Sequence, residues 1–385
     1  MKRRDFLFTS AAAGVAVLAP RFAFAQRAAT GYSQLLVLVE LKGGNDGLNT
    51  VVPYGDPAYY ALRPRLAIKR DDALQLDGRS GLHPSLAPLM PVWQARELAI
   101  VQGVGYPSPN LSHFRSIEIW DTASRAEEYL TDGWLARAFA SAPVPKSFAA
   151  DGVVVGASEL GPLAGAGARA VALANTEQFL RQAKLAHPAQ GGGNRALAHL
   201  LKVEADVVQA ASGLNGNREF RTQFPQGPFG NAVKTAAQVV ASEAGVAAVR
   251  ISLNGFDTHQ NQPGTHANLL RQLAEGLVAL RAALQELGRW DSTLVLTYAE
   301  FGRRVQENGS NGTDHGTANA HFALGGRVRG GLYGEPPRLD RLEGGNLPYA
   351  VDFRSLYATV LERWWGVPSA GPLGGRFSPL DLVKA

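Results

Sequence analysis

The chain has 385 residues, 45% hydrophobic and 18% charged, with a formal net charge of +5 and no cysteine. That length and apolar content support a full buried core and exclude a wholly disordered chain. The lack of cysteine excludes a disulfide framework, a cysteine nucleophile and any thiolate metal site. A metal here must sit on Asp, Glu, His or hydroxyl groups.

Chain order begins with an address. Lys2-Arg3-Arg4-Asp5-Phe6-Leu7 places an arginine pair before the apolar run Ala11 to Leu18, and Ala23-Phe24-Ala25 supplies a small-x-small cleavage site. Residues 1–25 read as a twin-arginine signal peptide, with the twin-arginine translocase as export partner and a periplasmic or secreted destination. The apolar run is too short for a stable membrane span, so none is expected in the mature protein. Without residues 1–25 the chain keeps 34 basic and 32 acidic residues, so much of the basicity belongs to the signal. No long Lys/Arg run remains, which argues against nucleic acid as a partner.

Leu35 to Leu41 predicts a buried strand, followed by the turn-rich Lys42-Gly43-Gly44-Asn45-Asp46-Gly47. Leu98 to Val104 predicts a second strand, and Pro109-Asn110-Leu111-Ser112 leads into a helix ending near Thr122. Val153 to Val155 and Ala170 to Leu173 are short strand candidates. Glu177 to Leu185, Asn194 to Ala211 and Asn231 to Ala244 read as helices, broken by Gly191-Gly192-Gly193, and suggest a helical insertion over about 175–245. Val246 to Leu253 is a further strand. Leu269, Leu273, Leu277, Leu280, Leu284 and Leu287 recur at helical spacing until Gly288 stops them. Leu294 to Tyr298 and His321 to Leu324 predict strands, and Phe353 to Trp365 a last helix. Strands alternating with helices predict one α/β domain over 26–385, built on a mostly parallel central sheet with helices on both faces.

In such sheets ligands bind beyond the carboxyl ends of the strands. Asp46, the Asp257/His259 pair and Glu300 all fall at those ends. On extended backbone Asp257 and His259 point the same way and could share a cation; alternatively, Asp257 only orients His259. His266, near the start of the leucine-striped helix, reads as a surface residue, and His321 as a structural one. Asp314-His315-Gly316 is a second acid–imidazole pair in a glycine-rich loop. Ser112 stands at a helix start, where a serine either caps the helix or acts as a nucleophile aided by the helix dipole. No Gly-x-Ser-x-Gly elbow supports an ordinary serine hydrolase. The loop Lys42 to Gly47 could cradle an anion through its N–H groups, but lacks a phosphate-loop pattern.

The order of these groups resembles the alkaline phosphatase superfamily. More closely, LKGGNDGLNTVVP (41–53), PNLSHFRSIEIWDTA (109–123), GFDTHQNQ (255–262) and AEFGRRVQENGSNGTDHGTANAHFALGG (299–326) resemble the bacterial family called domain of unknown function 1501. The resemblance implies an alkaline phosphatase-like fold with metal ligands Asp46, Asp257, His259, Glu300 and His315 and the nucleophile hydroxyl at Ser112. Phe301 departs from the superfamily's Asp-His-Gly tripeptide and removes one ligand of a second metal. Asp314 and His113 are the candidates to replace it, His113 also being a candidate catalytic group. Asn45, Arg115 and Arg303 are candidates to hold substrate oxygens, while Arg304 reads as a surface residue.

The function expected is a secreted metal-dependent hydrolase of small-molecule or cell-envelope phosphate or sulfate esters, working through a metal-activated serine. One or two divalent ions are implied, zinc first, with magnesium, calcium or manganese as alternatives. A sulfatase is the weaker form, since no Cys/Ser-x-Pro-x-Arg motif is present. The rival is a degenerate, non-catalytic protein of the same fold that binds a cell-envelope ligand, for which the loss at Phe301 speaks.

Overall fold

The computed structural model describes residues 31–184, 195–214 and 218–384. The signal segment and Gly191-Gly192-Gly193 lie outside these. The central sheet holds β1 (Leu35–Lys42), β5 (Leu98–Gly105), β6 (Ala150–Val155), β7 (Ala170–Leu173), β8 (Val246–Asn254), β9 (Thr293–Tyr298), β10 (Asn319–Leu324), β11 (Gly331–Tyr333) and β12 (Val351–Asp352). A small antiparallel sheet, β2 (Val51–Val52), β3 (Leu74–Gln75) and β4 (Gly81–Leu82), follows β1 in the chain. The central order is β11-β5-β10-β9-β1-β8-β6-β7, with β12 also on β5. Every pairing is parallel except the two made by β10. The expected mostly parallel α/β sheet is therefore what the chain forms.

β1 lies at the centre and is buried on both faces, which is why it reads as a continuous apolar run. Leu35, Val37, Val39 and Leu41 face one core with Leu273, Leu277 and Leu280 of the helix Gln262–Glu286 and with Phe229 and Val233 of the helix Pro228–Val240. Leu36 and Leu38 face a second core with Trp120 of the helix His113–Thr122, Trp134, Tyr357, Trp364 and Trp365. Truncating Leu273 or Leu280 to Ala would cost about 2–5 kcal/mol. The helices Thr176–Ala183, Arg195–Gly213 and Pro228–Val240 connect β7 to β8, and Phe179, Ala210 and Phe229 join the first core.

The one acid inside β1 is Glu40. It is buried, and its carboxylate meets Arg250 Nη2 at 2.6 Å and Ser252 Oγ at 2.7 Å, both on β8. Three departures from the sequence reading have local causes. β6 starts at Ala150 rather than Val153 because Asp151 and Gly152 interrupt its apolar pattern, and Gly152 is required there since a Cβ would lie 2.4 Å from the Leu163 side chain. The leucine-striped helix begins at Gln262, so His266 is a buried residue of its first turns, not a surface one. Strands β2, β3, β4 and β12 are two residues each, too short for a periodic signal.

Candidate metal centre

The loops after β1, β5 and β8, and the one that joins β9 to the antiparallel β10, meet at the carboxyl edge of the sheet. Two glycines let them touch. Gly43 and Gly44 have φ of +117° and +76°, and a Cβ would lie 2.4 Å from Asp257 N at the first and 2.4 Å from the Phe301 ring at the second. Arg303 then clamps the loops together. Its side chain is fully buried and donates from Nε to Gly44 O (2.7 Å), from Nη1 to Thr313 O (2.9 Å), and from Nη2 to Gly43 O, Phe256 O and Asp257 Oδ1.

Asp257 is the hub of the cluster. Its Oδ1 lies 2.7 Å from Arg303 Nη2, 2.8 Å from His259 Nδ1 and 3.2 Å from His315 Nε2, and its Oδ2 lies 3.5 Å from His113 Nε2. Partial burial alone would raise its carboxyl. The Arg303 hydrogen bond and charge, with His315 and His259, outweigh that and bring it down to about 2.

Two of the three imidazoles facing Asp257 are braced from behind. His113 Nδ1 meets Glu300 Oε1 at 2.8 Å, and His315 Nδ1 meets Leu111 O at 2.8 Å. A carbonyl only accepts, so His315 Nδ1 donates to Leu111 O, and in the neutral ring this leaves Nε2 as the atom a metal would take. The hydrogen bond that His113 donates to the Glu300 carboxylate raises it above the ordinary histidine value, against a lowering by burial. Burial lowers His315. Phe301 packs against both rings, with centroids 4.9 Å from His113 and 4.5 Å from His315. One ligand atom from each of His113, Asp257 and His315 comes within 4.8 Å of the others. Two imidazoles and a carboxylate, each imidazole oriented by an acceptor on its far nitrogen, fit a zinc-class ion with an open position.

Several expected site residues are placed elsewhere. Asp46 caps the short helix Gly47–Thr50 through Leu48 N and Asn49 N, and its Oδ2 takes Arg63 Nη1 at 2.6 Å and Gln262 Nε2. Burial favours its neutral form, but Arg63 wins and lowers the pKa. A carboxylate so fully engaged is no metal ligand; Asp46 sits one layer behind the cluster. Asn45 is buried, bonded to Thr50 and to His266 Nε2 (3.0 Å), and cannot reach substrate. Burial lowers His266 to about 3, so it is neutral there. Asp314 is exposed and accepts from Asn308 Nδ2, outside the three-ligand group. Arg115 is spent on the carbonyls of Ala126 and Glu128 and lies on the Tyr129 ring at 3.8 Å. Arg303 is the clamp just described, with no donor turned to solvent.

The remaining residues divide. Glu300 is in the cluster, but as the group that holds Gly43 N–H (2.9 Å) and His113; its Oε2 is buried without a partner. His259 lies on Asp257, the orienting alternative, and is not in the three-ligand group. Ser112 is exposed at the start of the helix His113–Thr122 and makes no side-chain cap. His321 is buried in β10 against Trp120, as its structural reading requires. The sequence offered no sign of the Leu111 carbonyl behind His315 or of Arg63 behind Asp46. A cavity of about 320 Å³ opens beside the cluster, past Arg303, against Leu48, Gln102, Asn319 and Tyr349, and holds none of the ligand residues.

The fold and cluster define an α/β protein with an imidazole–carboxylate centre at the carboxyl edge of its sheet. The chain belongs to the family "Protein of unknown function (DUF1501)", whose model matches residues 79–368. No curated protein matches it in sequence. Among solved structures it is similar to the PsFucS1 sulfatase from Pseudoalteromonas sp. (11% identity, TM-score 0.40, covering 90% of this chain and 70% of that one). It is also similar to the C-terminal periplasmic domain of EcEptC from Escherichia coli in complex with Zn (9%, 0.37, 76% and 72%). A third is the alkaline phosphatase from the Antarctic bacterium TAB5 (13%, 0.32, 78% and 94%). Scores this low carry nothing about activity. Among the described residues no helix is long and apolar enough to cross a membrane.

Proposed function

We propose that this protein is an exported hydrolase that uses one zinc-class divalent ion to cleave phosphate or sulfate esters of small molecules or the cell envelope. One observation carries the reading: ligand atoms of His113, Asp257 and His315, from three loops far apart in sequence, come within 4.8 Å of one another. The set is richer in nitrogen than magnesium or calcium prefers. When bound, the ion polarises the ester and stabilises charge developing on the transferring group.

The chain's own residues supply the rest. Arg303 keeps Asp257 ionised. Glu300 and the Leu111 carbonyl fix the His113 and His315 rings. Ser112 offers a hydroxyl not spent as a cap, at the positive end of the helix that delivers His113. Its oxygen attacks phosphorus or sulfur as the P–O or S–O bond to the alcohol breaks, the serine proton passes to the departing alcohol oxygen, and water then hydrolyses the serine ester and restores the hydroxyl. A single ion is the reading that Asp46 and Phe301 support, since the first is engaged by Arg63 and the second offers no ligand atom. That same Phe301 favours the second reading, a non-catalytic protein binding an envelope ligand.

Metal analysis of the exported protein, then a screen of phosphomonoesters, phosphodiesters and sulfate esters, tests the first reading. Stoichiometric zinc, turnover of one ester class and its loss in Ser112→Ala are expected. Zinc without turnover would select the binding reading. Absence of metal, with melting unchanged by chelator, overturns the metal centre.

A further inference from the structure

Near its carboxyl end β5 changes course. Asn319 of β10 pairs with Val104 but His321 pairs with Val101, so β5 advances three residues where β10 advances two. The extra residue is a bulge, and Gly103 takes the positive φ of +67° that it requires. Ile100 faces the first core, whereas Val101 and Val104, on either side of the bulge, both face the second. Gln102, two residues past Ile100, is therefore turned to the first-core side.

The cavity of about 320 Å³ begins there. Gln102, Val51 and Ala320 line it from the strands, and Leu48, Leu347 and Tyr349 from the segments around them, with Pro336-Pro337 beside Tyr349. Gln102 is only 4% exposed, yet its side-chain amide has no hydrogen-bond partner among the described residues. The amide is not sealed in protein, as Glu300 Oε2 is, so it opens on the cavity. The neighbouring polar groups are already engaged. Asn319 donates to Phe301 O at 3.0 Å and accepts the Ala320 N–H at 2.8 Å, and the Arg303 guanidinium is held by Gly44 O and Thr313 O. The other charges stay in solvent, where Arg338 and Arg341 lie 2.9 and 4.0 Å from Asp340.

We infer that this cavity is a second binding site, for a neutral and mostly apolar ring that carries an amide, as a lactam does. A buried amide left without a partner is costly, and a bulge that aims one into an open apolar cavity marks the place of a ligand group. A charged ring would lose its hydration against apolar walls. The Gln102 carboxamide offers an acceptor and two donors in one plane, and a cyclic amide presents its N–H and C=O side by side to meet both. Tyr349 and the two prolines supply flat faces for the ring to pack on. The site goes beyond the ester-hydrolysis reading and does not depend on it, since none of the metal-ligand residues lines the cavity.

The experiment titrates zinc-free protein by calorimetry with 2-quinolone, a flat lactam, and with its N-methyl derivative, which keeps the ring but lacks the N–H donor. Saturable binding of the lactam is expected, with the N-methyl compound about tenfold weaker. Gln102→Leu, similar in size but apolar, should weaken the lactam by about tenfold and bring the two compounds level. Tyr349→Ala, in the partly exposed wall, should weaken both alike. Melting and zinc titration of the variants should match wild type, showing that the fold and the centre are intact. Wild type that binds neither compound or both equally, or a Gln102→Leu protein that keeps the preference, overturns the site. Should Gln102→Leu not fold, the two compounds compared on wild type and Tyr349→Ala decide it. A flat zinc isotherm for wild type overturns the metal reading alone and leaves these titrations standing.

Discussion

His113 Nδ1 lies 2.8 Å from Glu300 Oε1, although 187 residues separate them in the chain. The same carboxylate oxygen accepts the Gly43 N–H. One acid at the end of β9 thus fixes the loop after β1 and aims an imidazole at the start of a helix. The consequence is a His113 ring whose other nitrogen faces Asp257 at 3.5 Å.

That arrangement separates ligands from the groups that orient them. Glu300→Gln should keep the fold and weaken zinc by about 10–100-fold, as loss of an orienting carboxylate does. His113→Ala, Asp257→Asn and His315→Ala each remove a ligand and should lose more. His259→Ala should lose less than any of the three. Competitive zinc titrations against a chromophoric chelator give the order; His259→Ala as damaging as His315→Ala would return His259 to the ligand set. Zinc at a hundredfold excess over its dissociation constant should raise stability by about 2.7 kcal/mol, read from melts with and without chelator.

Protons compete with the metal at His113. Its pKa is raised above 6.5 by Glu300, so the protonated form persists to higher pH than in a free histidine, while that of His315 is lowered and its Nε2 stays available. Zinc affinity should therefore fall as pH drops through the raised His113 value, with a slope of about one proton per ion. In His113→Ala the remaining, weaker affinity should lose this dependence. Zinc titrations across neutral and mildly acidic pH check it.

Asp46 belongs to stability rather than chemistry. Asp46→Ala leaves the Arg63 guanidinium buried without its carboxylate and should cost about 3–5 kcal/mol, as broken buried pairs do. Its zinc affinity, measured on folded protein, should match wild type. Urea unfolding beside zinc titration reads both quantities, and a large loss of zinc affinity at unchanged stability would restore Asp46 as a ligand.

Asp121 gives the fold its own pH dependence. Burial raises it to about 7, Glu40 and Glu300 add to that, and Arg250 and Lys42 oppose it; its Oδ1 is buried without a partner. The unfolded chain releases this proton near 3.8, whereas the folded chain keeps it to about 7. The folded state binds more protons between those values, so stability falls as pH rises through that window and levels above it. Asp121→Asn should stabilise the protein at pH 8 by about 1–3 kcal/mol and make little difference near pH 4. Equal melting shifts at both pH values would contradict this.

The sheet, and the edge at which chemistry gathers, can be read from the order of residues alone. Continuous apolar runs at β1, β5, β8 and β9 mark strands buried on both faces, because a parallel sheet covered by helices leaves them no solvent side. Polar residues just past those runs fall at one edge because the strands are parallel, and so Asp257 and Glu300 were legible as neighbours; His315 joined them only through the family resemblance. Which of them converge depends on how the loops close in three dimensions. Asp46 and Arg303 have the composition of site residues, but an arginine 17 positions on captures the first, and backbone carbonyls of three loops consume the second. His113 becomes the third member of the cluster because Glu300 turns its ring, a contact that no spacing encodes. Side-chain type and strand order are local properties of the chain. Which partner satisfies each buried hydrogen-bonding group is settled only when distant loops close on one another, since an unmet group there costs more than most contacts return.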